Sequence, residues 1–322
     1  MIRSTQFIKI IFIGTVAFLL YYQLTEGEGI DAIKKVFSGK PANISYNFLF
    51  ITVLLMPINW WLEAVKWQRL MSPHQSLTIG ISIKTVVAGI AAGIVTPARI
   101  GEYAGRLITS EPDKKTQVIS ATLLGSIAQN LCNIIGGLGF SYFFLKSVFH
   151  VTYDDSLSFI AIITVQIILL VLLFYNLPKV AHYIENKIGL KYFSKYGSKL
   201  KSLDLYNNSL LNTVLALSAI RYVVYFLQYI CIMKFLGVEN TISELGGNIA
   251  GIYLIQTGIP LPAFLSIFAR GEIAVIVWSA LGIHKVTALA ATFGLWFINL
   301  IIPAIAGIYV LYKTDLNSYL NK

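Results

Sequence analysis

Long apolar runs recur along almost the whole chain, and they restrict its fold more than any other feature. The plainest run, residues 157–176, contains no Asp, Glu, Lys or Arg, and a helix of about 20 such residues spans the hydrocarbon core of a bilayer. Further runs occupy residues 7–24, 46–70, 77–95, 117–145, 210–235, 246–258, 264–283 and 286–312. Because lipid offers no partner for backbone polar groups, runs of this length are expected to be helical. The sequence therefore predicts an all-α polytopic membrane protein.

The composition places the chain in lipid rather than in water. Of its 322 residues, 56% are hydrophobic and 12% are charged, whereas about 25% are charged in an average soluble domain. No polar stretch is long enough for a soluble domain, so we expect one integral membrane domain over residues 1–322. The first run follows Arg3 without a small-residue cleavage site, which predicts a retained helix. The two cysteines and four histidines lack ligand spacing, so we expect no disulfide framework, metal site or cofactor.

The distribution of lysine predicts the orientation of the chain. The segment 178–205 carries six lysines against Glu185 and Asp204, and basic residues accumulate in loops on the cytoplasmic side. We interpret this segment as a cytoplasmic amphipathic stretch that binds anionic lipid of the inner leaflet, without a nucleic-acid partner. Both termini then lie in the cytoplasm, and the chain is an integral protein of the plasma (inner) membrane.

Two stretches fit this orientation only if they enter the membrane and turn back. Residues 77–106 and residues 246–283 each begin and end on one side, and prolines lie near their middles: Pro97 in the first, Pro260 and Pro262 in the second. Proline cannot continue the hydrogen-bonded ladder of a helix, so these are the natural turns. We therefore predict about six full spans plus two re-entrant helical hairpins that enter from opposite faces.

The two halves of the chain correspond to each other. Repeat 1 covers about residues 46–145 and repeat 2 about residues 210–312. An arginine and a Gly-Glu pair follow the turn in both hairpins. These residues are Arg99, Gly101 and Glu102 in the first hairpin, and Arg270, Gly271 and Glu272 in the second. Inverted repeats with broken helices that meet near the membrane midplane are typical of transporters.

The same residues resemble the lysylphosphatidylglycerol synthase transmembrane-domain family, also called flippase-like proteins. The resemblance rests on the Pro-x-Arg-x-Gly-Glu run that begins at Pro97 and closes with Arg106, and on the later Pro-Leu-Pro…Gly-Glu element. With the order of the spans, it covers nearly the whole chain. It implies an inner-membrane protein that moves lipids between leaflets. A transferase domain follows the membrane domain in the family's synthases, but here the chain ends at Lys322. We therefore expect no synthase activity, and a separate lipid-synthesising enzyme is a candidate partner.

Charged side chains inside the hairpins indicate a binding site. A charge at membrane depth costs at least ~2.5–3.5 kcal/mol, so it persists where it is paired, faces a wet cavity or binds a ligand. The planar guanidinium of an arginine can donate hydrogen bonds to two oxygens of one phosphate. The predicted substrate-binding residues are Arg99, Glu102, Arg106, Arg221, Arg270 and Glu272; the predicted structural turns are Pro97, Gly101, Pro260, Pro262 and Gly271.

A structural interpretation of the same charges remains open. Arg–Glu pairs could fix the hairpins in place, and Arg221 could pair with Glu272 or Glu102. Polar residues at helical spacing in four spans also predict a polar interior between the repeats. They include Asn59, Glu63, Ser126, Gln129, Asn130, Asn133, Ser218, Tyr225, Gln228, Thr292, Trp296 and Asn299.

Three functions fit these observations. The first, which we predict, is a flippase or translocase that moves an anionic phospholipid or a polyprenyl-phosphate-linked lipid between leaflets. The second is a secondary transporter of a small organic anion, which needs a closed central site. The third is a membrane-embedded lipid-modifying enzyme. Because the spans hold no nucleophile–base constellation and no HExxH motif, we expect no enzymatic activity.

Overall fold

The computed structural model describes residues 45–94, 96, 99–149, 156–180, 204–258 and 263–314, together with residues 34 and 183. The predicted first span at 7–24, the turn residues Pro97, Pro260 and Pro262, and most of the basic segment 178–205 lie outside these ranges. Within them, the regular structure is helical throughout, so the predicted all-α membrane class is confirmed.

The helices follow the apolar runs closely. They are α1 (Tyr46–Met71), α2 (Ile79–Ile94), α3 (Gly101–Ile108), α4 (Lys115–Phe149), α5 (Ser156–Tyr175), α6 (Asn208–Phe235), α7 (Ile242–Gly258), α8 (Ala263–Ser279), α9 (Lys285–Trp296) and α10 (Ile302–Lys313). A π-helical turn, Phe297–Ile301, joins the last two. Four described stretches are long and apolar enough to cross a membrane: α1, the Lys115–Phe140 part of α4, α6, and the continuous stretch Lys285–Lys313.

Local sequence signals explain several helix boundaries. The side chain of Asn207 accepts a hydrogen bond from the Leu210 backbone N–H at 2.9 Å and caps the start of α6. At the start of α7, Thr241 and Glu244 form a capping box: the Thr241 backbone N–H donates to Glu244 Oε2 at 2.9 Å, and the Glu244 backbone N–H donates to Thr241 Oγ1 at 3.4 Å. Pro303 lacks the N–H that would bond the carbonyl four residues earlier, and the π-helical turn lies at that point. The predicted run 286–312 is therefore continuous but changes its helical register.

The first hairpin consists of α2 and α3, whose arms run antiparallel and touch through glycine. Gly101 lies against the carbonyl of Ala92, and Gly105 lies against the carbonyl of Ala88. A Cβ at either glycine would overlap backbone atoms of α2, so the missing side chain is what allows this close approach. The chain reverses between Ile94 and Gly101, the stretch in which the sequence predicts a turn.

The second hairpin consists of α7 and α8. Asn248, near the start of α7, donates to the carbonyl of Val277, near the end of α8, at 3.5 Å, so these arms also run antiparallel. The second arm of this hairpin, α8, has 17 residues, whereas α3, the second arm of the first hairpin, has 8. Gly271 packs on α9, where an added Cβ would lie 3.0 Å from a side-chain carbon of Leu289 and would overlap no backbone.

The hairpins begin at opposite ends of the bundle. At one end, His74 Nε2 lies 3.3 Å from Tyr206 Oη, so the turn before α2 and the chain before α6 share a face. At the other end, the Tyr46 and Phe235 rings lie 6.1 Å apart, which places the start of α1 beside the end of α6 and the entry to α7. The relative placement agrees with the predicted topology; which end is cytoplasmic stays a prediction.

The packing between the halves is reciprocal. Helix α1 packs along α6, its counterpart in the other repeat; α4 packs along α7, and α10 packs along α2. Each final span thus lies against the first arm of the other repeat's hairpin, a pattern that a two-fold relation between the repeats would produce. Core side chains such as Trp67, Ile90 and Trp278 are almost fully buried where these helices meet.

Candidate functional site

A buried carboxylate in α1 joins three elements of the bundle. Glu63 Oε2 lies 2.7 Å from Lys66 Nζ and 2.8 Å from Arg221 Nη1 of α6, and its Oε1 lies 3.0 Å from Arg106 Nη2 of α3. Glu63 therefore connects the first hairpin to both of the paired long helices. A charge cluster this deep is tolerated because each charge has a close opposite partner.

Arg106 is almost fully enclosed in this cluster, with 3% of its side chain exposed. Besides Glu63, it binds Glu102 Oε1 at 2.5 Å, one helical turn before it on α3. Its guanidinium also lies over the ring of Trp67, 4.5 Å from the centroid, in cation–π geometry. Glu102 then reaches Arg99 Nη2 at 3.4 Å. Two carboxylates, Glu63 and Glu102, thus pair with four cations in one charge network. The cations are Lys66, Arg99, Arg106 and Arg221.

A cavity of about 480 Å³ lies between the two hairpins, next to this network. Three arginines line it: Arg99 from the turn of the first hairpin, Arg270 from α8 of the second, and Arg221 from α6. No carboxylate is among the described residues that line it. The carboxylates of the network lie behind the wall, so the cavity itself presents positive charge.

Arg99 occupies a strained backbone position. Its φ is 57°, and it is the one non-glycine residue with positive φ in the described part of the chain. A side chain in this region costs about 1–3 kcal/mol and is enriched at ligand sites. Its side chain is 44% exposed, so the turn holds Arg99 out toward the cavity while Glu102 contacts it from one side.

Arg270 differs from the other two arginines, because no carboxylate in the described ranges pairs with it. Among the described residues it forms no ion pair and no hydrogen bond, although it is partly buried in the cavity wall. An arginine at membrane depth normally pairs with a carboxylate, a carbonyl, water or a ligand. Arg270 is therefore the cation most available to an anion in the cavity.

Arg221 is held in place on several sides. Its Nε donates to Asn59 Oδ1 at 2.7 Å and its Nη1 donates to Gln129 Oε1 at 3.3 Å, in addition to the bond with Glu63. Its guanidinium lies over the Trp60 ring at 4.9 Å. These contacts hold the Arg221 guanidinium in place, so its positive charge has a fixed position on the wall of the cavity.

Neutral polar and aromatic side chains form much of the rest of the wall, together with aliphatic residues such as Ile94, Ile273, Leu295 and Leu300. The amides are Asn59, Gln129, Asn130, Asn133, Gln256 and Asn299, and the large aromatic residues are Trp60, Tyr225, Tyr229, Tyr253 and Trp296. The tyrosines pack on one another, with Tyr225 and Tyr253 edge to face at 4.9 Å. Several of the polar residues that the sequence indicated therefore converge on one cavity.

The structure separates the predicted substrate-binding residues into three groups. Arg99, Arg221 and Arg270 line the cavity, and Glu102 and Arg106 lie behind its wall as an ion pair. Glu272 is exposed and does not line the cavity. Two residues along a helix correspond to a rotation of about 200°, so Glu272 lies on the opposite face of α8 from Arg270.

The partner of Arg221 is a correction to the sequence interpretation. The two partners considered were Glu272 and Glu102, whereas the structure pairs Arg221 with Glu63. Sequence reasoning noticed Glu63 only as part of a short polar stripe and missed Lys66. The signal was present: two ionisable residues three apart in an otherwise apolar span share a helix face and indicate a buried charge site.

Comparison with known protein families gives a match over nearly the whole length. Residues 6–307 match the family described as "Lysylphosphatidylglycerol synthase TM region", which confirms the resemblance that the hairpin motifs indicated. The match includes every residue of the charge network and of the cavity wall. No curated protein matches the chain in sequence.

Proposed function

Because the chain belongs to the lysylphosphatidylglycerol synthase transmembrane-region family, we propose that it moves an anionic phospholipid or a polyprenyl-phosphate-linked lipid between the leaflets of the membrane. In this proposal the protein carries lipid without changing it chemically. Membership of the family favours a lipid-related role, and the chemistry of the cavity favours a phosphate-bearing headgroup.

The observation that carries the proposal is the charge of the cavity wall. Three arginines and no carboxylate line it among the described residues, so the wall attracts an anion and has no fixed anion to compete with it. Arginine binds phosphate through two parallel N–H groups, which is stronger than a single neutral hydrogen bond. The two hairpin arginines, Arg99 and Arg270, come from opposite halves of the chain, so a bound phosphate would link the repeats.

The buried network has a separate role in this proposal. Glu63 contacts Arg221 and Glu102 contacts Arg99, and these carboxylates orient the two arginines without entering the cavity. A phosphate would then meet Arg99 and Arg221 in positions that their carboxylate contacts already restrict. Such preorganisation raises affinity because less side-chain ordering is lost on binding.

The proposal includes an orientation and a source of lipid. Both termini lie in the cytoplasm of an inner-membrane protein, and the basic segment 178–205 binds the anionic inner leaflet. The lipid comes from a separate synthesising enzyme or directly from the leaflet. Labelling of single cysteines at positions 114 and 191 tests the orientation, and strong labelling from outside would contradict it.

A small organic anion is the second candidate substrate. The volume of the cavity, about 480 Å³, lies within the range of about 300–1,000 Å³ that small-molecule sites occupy. A transporter of soluble anions would use the same three arginines. Uptake of a radiolabelled soluble phosphate ester into vesicles, without movement of lipid, would favour this second function.

A reconstitution assay tests the first function. Purified protein is placed in vesicles containing a trace of fluorescent phosphatidylglycerol, and an impermeant quencher reports how fast the inner-leaflet probe reaches the outside. We expect wild-type protein to exchange the probe and Arg270→Gln to fall to the rate of protein-free vesicles. Arg69→Gln, which changes an exposed arginine at the end of α1, is the matched control and should keep the wild-type rate.

The alternatives have distinct outcomes in this assay. Wild-type exchange by Arg270→Gln would contradict the assigned site. If wild-type protein is inactive alone but active when a coexpressed partner is copurified, the protein is not self-sufficient, and the partner supplies a required step.

A further inference from the structure

The neutral groups of the cavity wall carry information about the rest of the headgroup. Among the described residues, the side chains of Asn130 and Gln256 line the cavity and form no hydrogen bond. A primary amide offers two donors and an acceptor. A hydroxyl is also both a donor and an acceptor, so these two free amides are suited to hydroxyl groups beside the phosphate.

The charged groups of the wall disfavour a headgroup that also carries an ammonium. Glu63 and Glu102 already bind cations of the protein and do not line the cavity. Arg270 adds a positive charge that has no carboxylate partner among the described residues. An ammonium entering this space would therefore meet like charge and find no carboxylate, and like-charge juxtaposition suppresses wrong partners.

Several aromatic rings of the wall already contact groups of the protein, which leaves fewer ring faces for an ammonium. An aromatic cage binds a cation through open ring faces. The Trp60 face is covered by the Arg221 guanidinium at 4.9 Å. The Tyr253 ring packs against Tyr225 at 4.9 Å and against Tyr229 at 6.0 Å. These rings are engaged with groups of the protein itself.

We propose that the cavity selects a phosphate linked to an uncharged polyol or sugar and rejects headgroups that carry an ammonium. This inference rests on the proposed lipid movement and specifies its substrate class. Arg99 and Arg270 bind the phosphate, and Asn130 and Gln256 bind the hydroxyl groups. The lysyl ester named in the family's description carries ammonium groups, so it belongs to the rejected class.

The test compares four fluorescent lipids with identical acyl chains in the same vesicles. Phosphatidylglycerol and phosphatidylinositol carry hydroxyl groups, whereas phosphatidylethanolamine and lysylphosphatidylglycerol carry ammonium groups. We expect the first two to cross at least about tenfold faster than the last two, because an ammonium would meet the positive charges of the cavity wall. Equal rates for all four would overturn the selectivity and leave lipid movement intact.

A binding measurement decides the selectivity even if no lipid moves. Glycerol 3-phosphate and O-phosphoethanolamine are titrated separately against purified protein in detergent, and the unfolding temperature is recorded. We expect glycerol 3-phosphate to raise the unfolding temperature at a lower concentration than O-phosphoethanolamine. Equal stabilisation, or stabilisation by O-phosphoethanolamine alone, would overturn the inference. If the protein binds glycerol 3-phosphate selectively but moves no lipid, the proposed function is contradicted and the selectivity stands.

A single added carboxylate should change the selectivity in a predictable direction. Gln256→Glu places an anion in the wall and should lower the ratio of phosphatidylglycerol to phosphatidylethanolamine rates. Gln256→Met removes the amide without adding charge, so it should slow phosphatidylglycerol and give no gain for phosphatidylethanolamine. Asn130→Asp repeats the test from α4 in case one position fails to fold. An unchanged ratio in both folded acidic variants would overturn the inference.

Discussion

The two hairpins carry the same kinds of residue and use them differently. In the first, Glu102 binds Arg106 and Arg99 inside the protein. In the second, Glu272 is exposed, and Arg270 has no carboxylate partner among the described residues. Both hairpins present an arginine to the cavity, Arg99 and Arg270. The first hairpin also anchors the fold through the pair of Glu102 and Arg106, whereas no such pair is found among the described residues of the second.

Helix geometry explains much of this difference. Glu102 precedes Arg106 by four residues, a spacing that brings side chains together on one face. Glu272 follows Arg270 by two residues, a spacing that puts them on opposite faces. A repeated sequence motif thus indicates a repeated backbone structure. The role of each side chain in the motif depends on its spacing within the helix and on the residues that pack against it.

The largest effect is expected from removing the charge that anchors the first hairpin. Glu63→Gln leaves Lys66, Arg106 and Arg221 short of their shared carboxylate. Breaking a buried ion pair typically costs ~3–5 kcal/mol, so the unfolding temperature and the yield of inserted protein should fall sharply. Glu272→Gln is the matched control and should change neither. A normal unfolding temperature for Glu63→Gln would show that the network does not anchor the fold.

The next effect concerns the glycine contacts of the two hairpins. Gly105→Ala adds a Cβ against the Ala88 carbonyl, and overpacking of this kind costs ~1–3 kcal/mol. Gly271→Ala meets only side-chain atoms of Leu289 and Phe293, and alanine gains about 1 kcal/mol of helix propensity over glycine, so we expect nearly unchanged stability. Thermal unfolding of both variants measures the contrast. Equal losses would mean that the two hairpins are packed equally tightly.

A smaller effect is expected when the outer carboxylate of the network is neutralised. In Glu102→Gln, Arg106 keeps Glu63 as a partner, so the loss should be ~1.5–3 kcal/mol, the range for hydrogen bonds to charged groups. The protein should still be expressed, and lipid exchange should slow because Arg99 loses its orienting contact. Glu272→Gln should leave stability within about 0.5 kcal/mol of wild type. Full lipid exchange by a stable Glu102→Gln variant would remove Glu102 from the proposed site.

The smallest change in stability is expected at the strained turn. Arg99→Gly relieves the positive-φ strain but gives the unfolded chain more freedom, so the net change should stay below ~1 kcal/mol. Lipid exchange should nevertheless fall, since one of the two hairpin arginines is gone. Measuring both quantities on one preparation separates a binding residue from a structural one. A large loss of stability with normal exchange would reverse the assignment of Arg99.

The helical plan could be predicted in good part because its signals are local. Runs such as 46–70 and 210–235 correspond to α1 and α6 within a few residues, since the length of an apolar run sets the length of the helix that crosses the bilayer. The π-helical turn at Phe297–Ile301 was not predicted. Pro303 was a local signal for it, but a proline near the end of an apolar span is also compatible with a regular helix.

By itself, the sequence determined the membrane class, the two hairpins and the arginines that line the cavity, because hydropathy and turn residues act over short distances along the chain. Only the tertiary structure decided which charges pair. Glu63 and Arg221 are 158 positions apart and Glu63 and Arg106 are 43 positions apart. These contacts exist because α1 packs along α6 and glycine lets α3 close on α2. The attraction between charges depends on distance in space, and helix packing sets that distance.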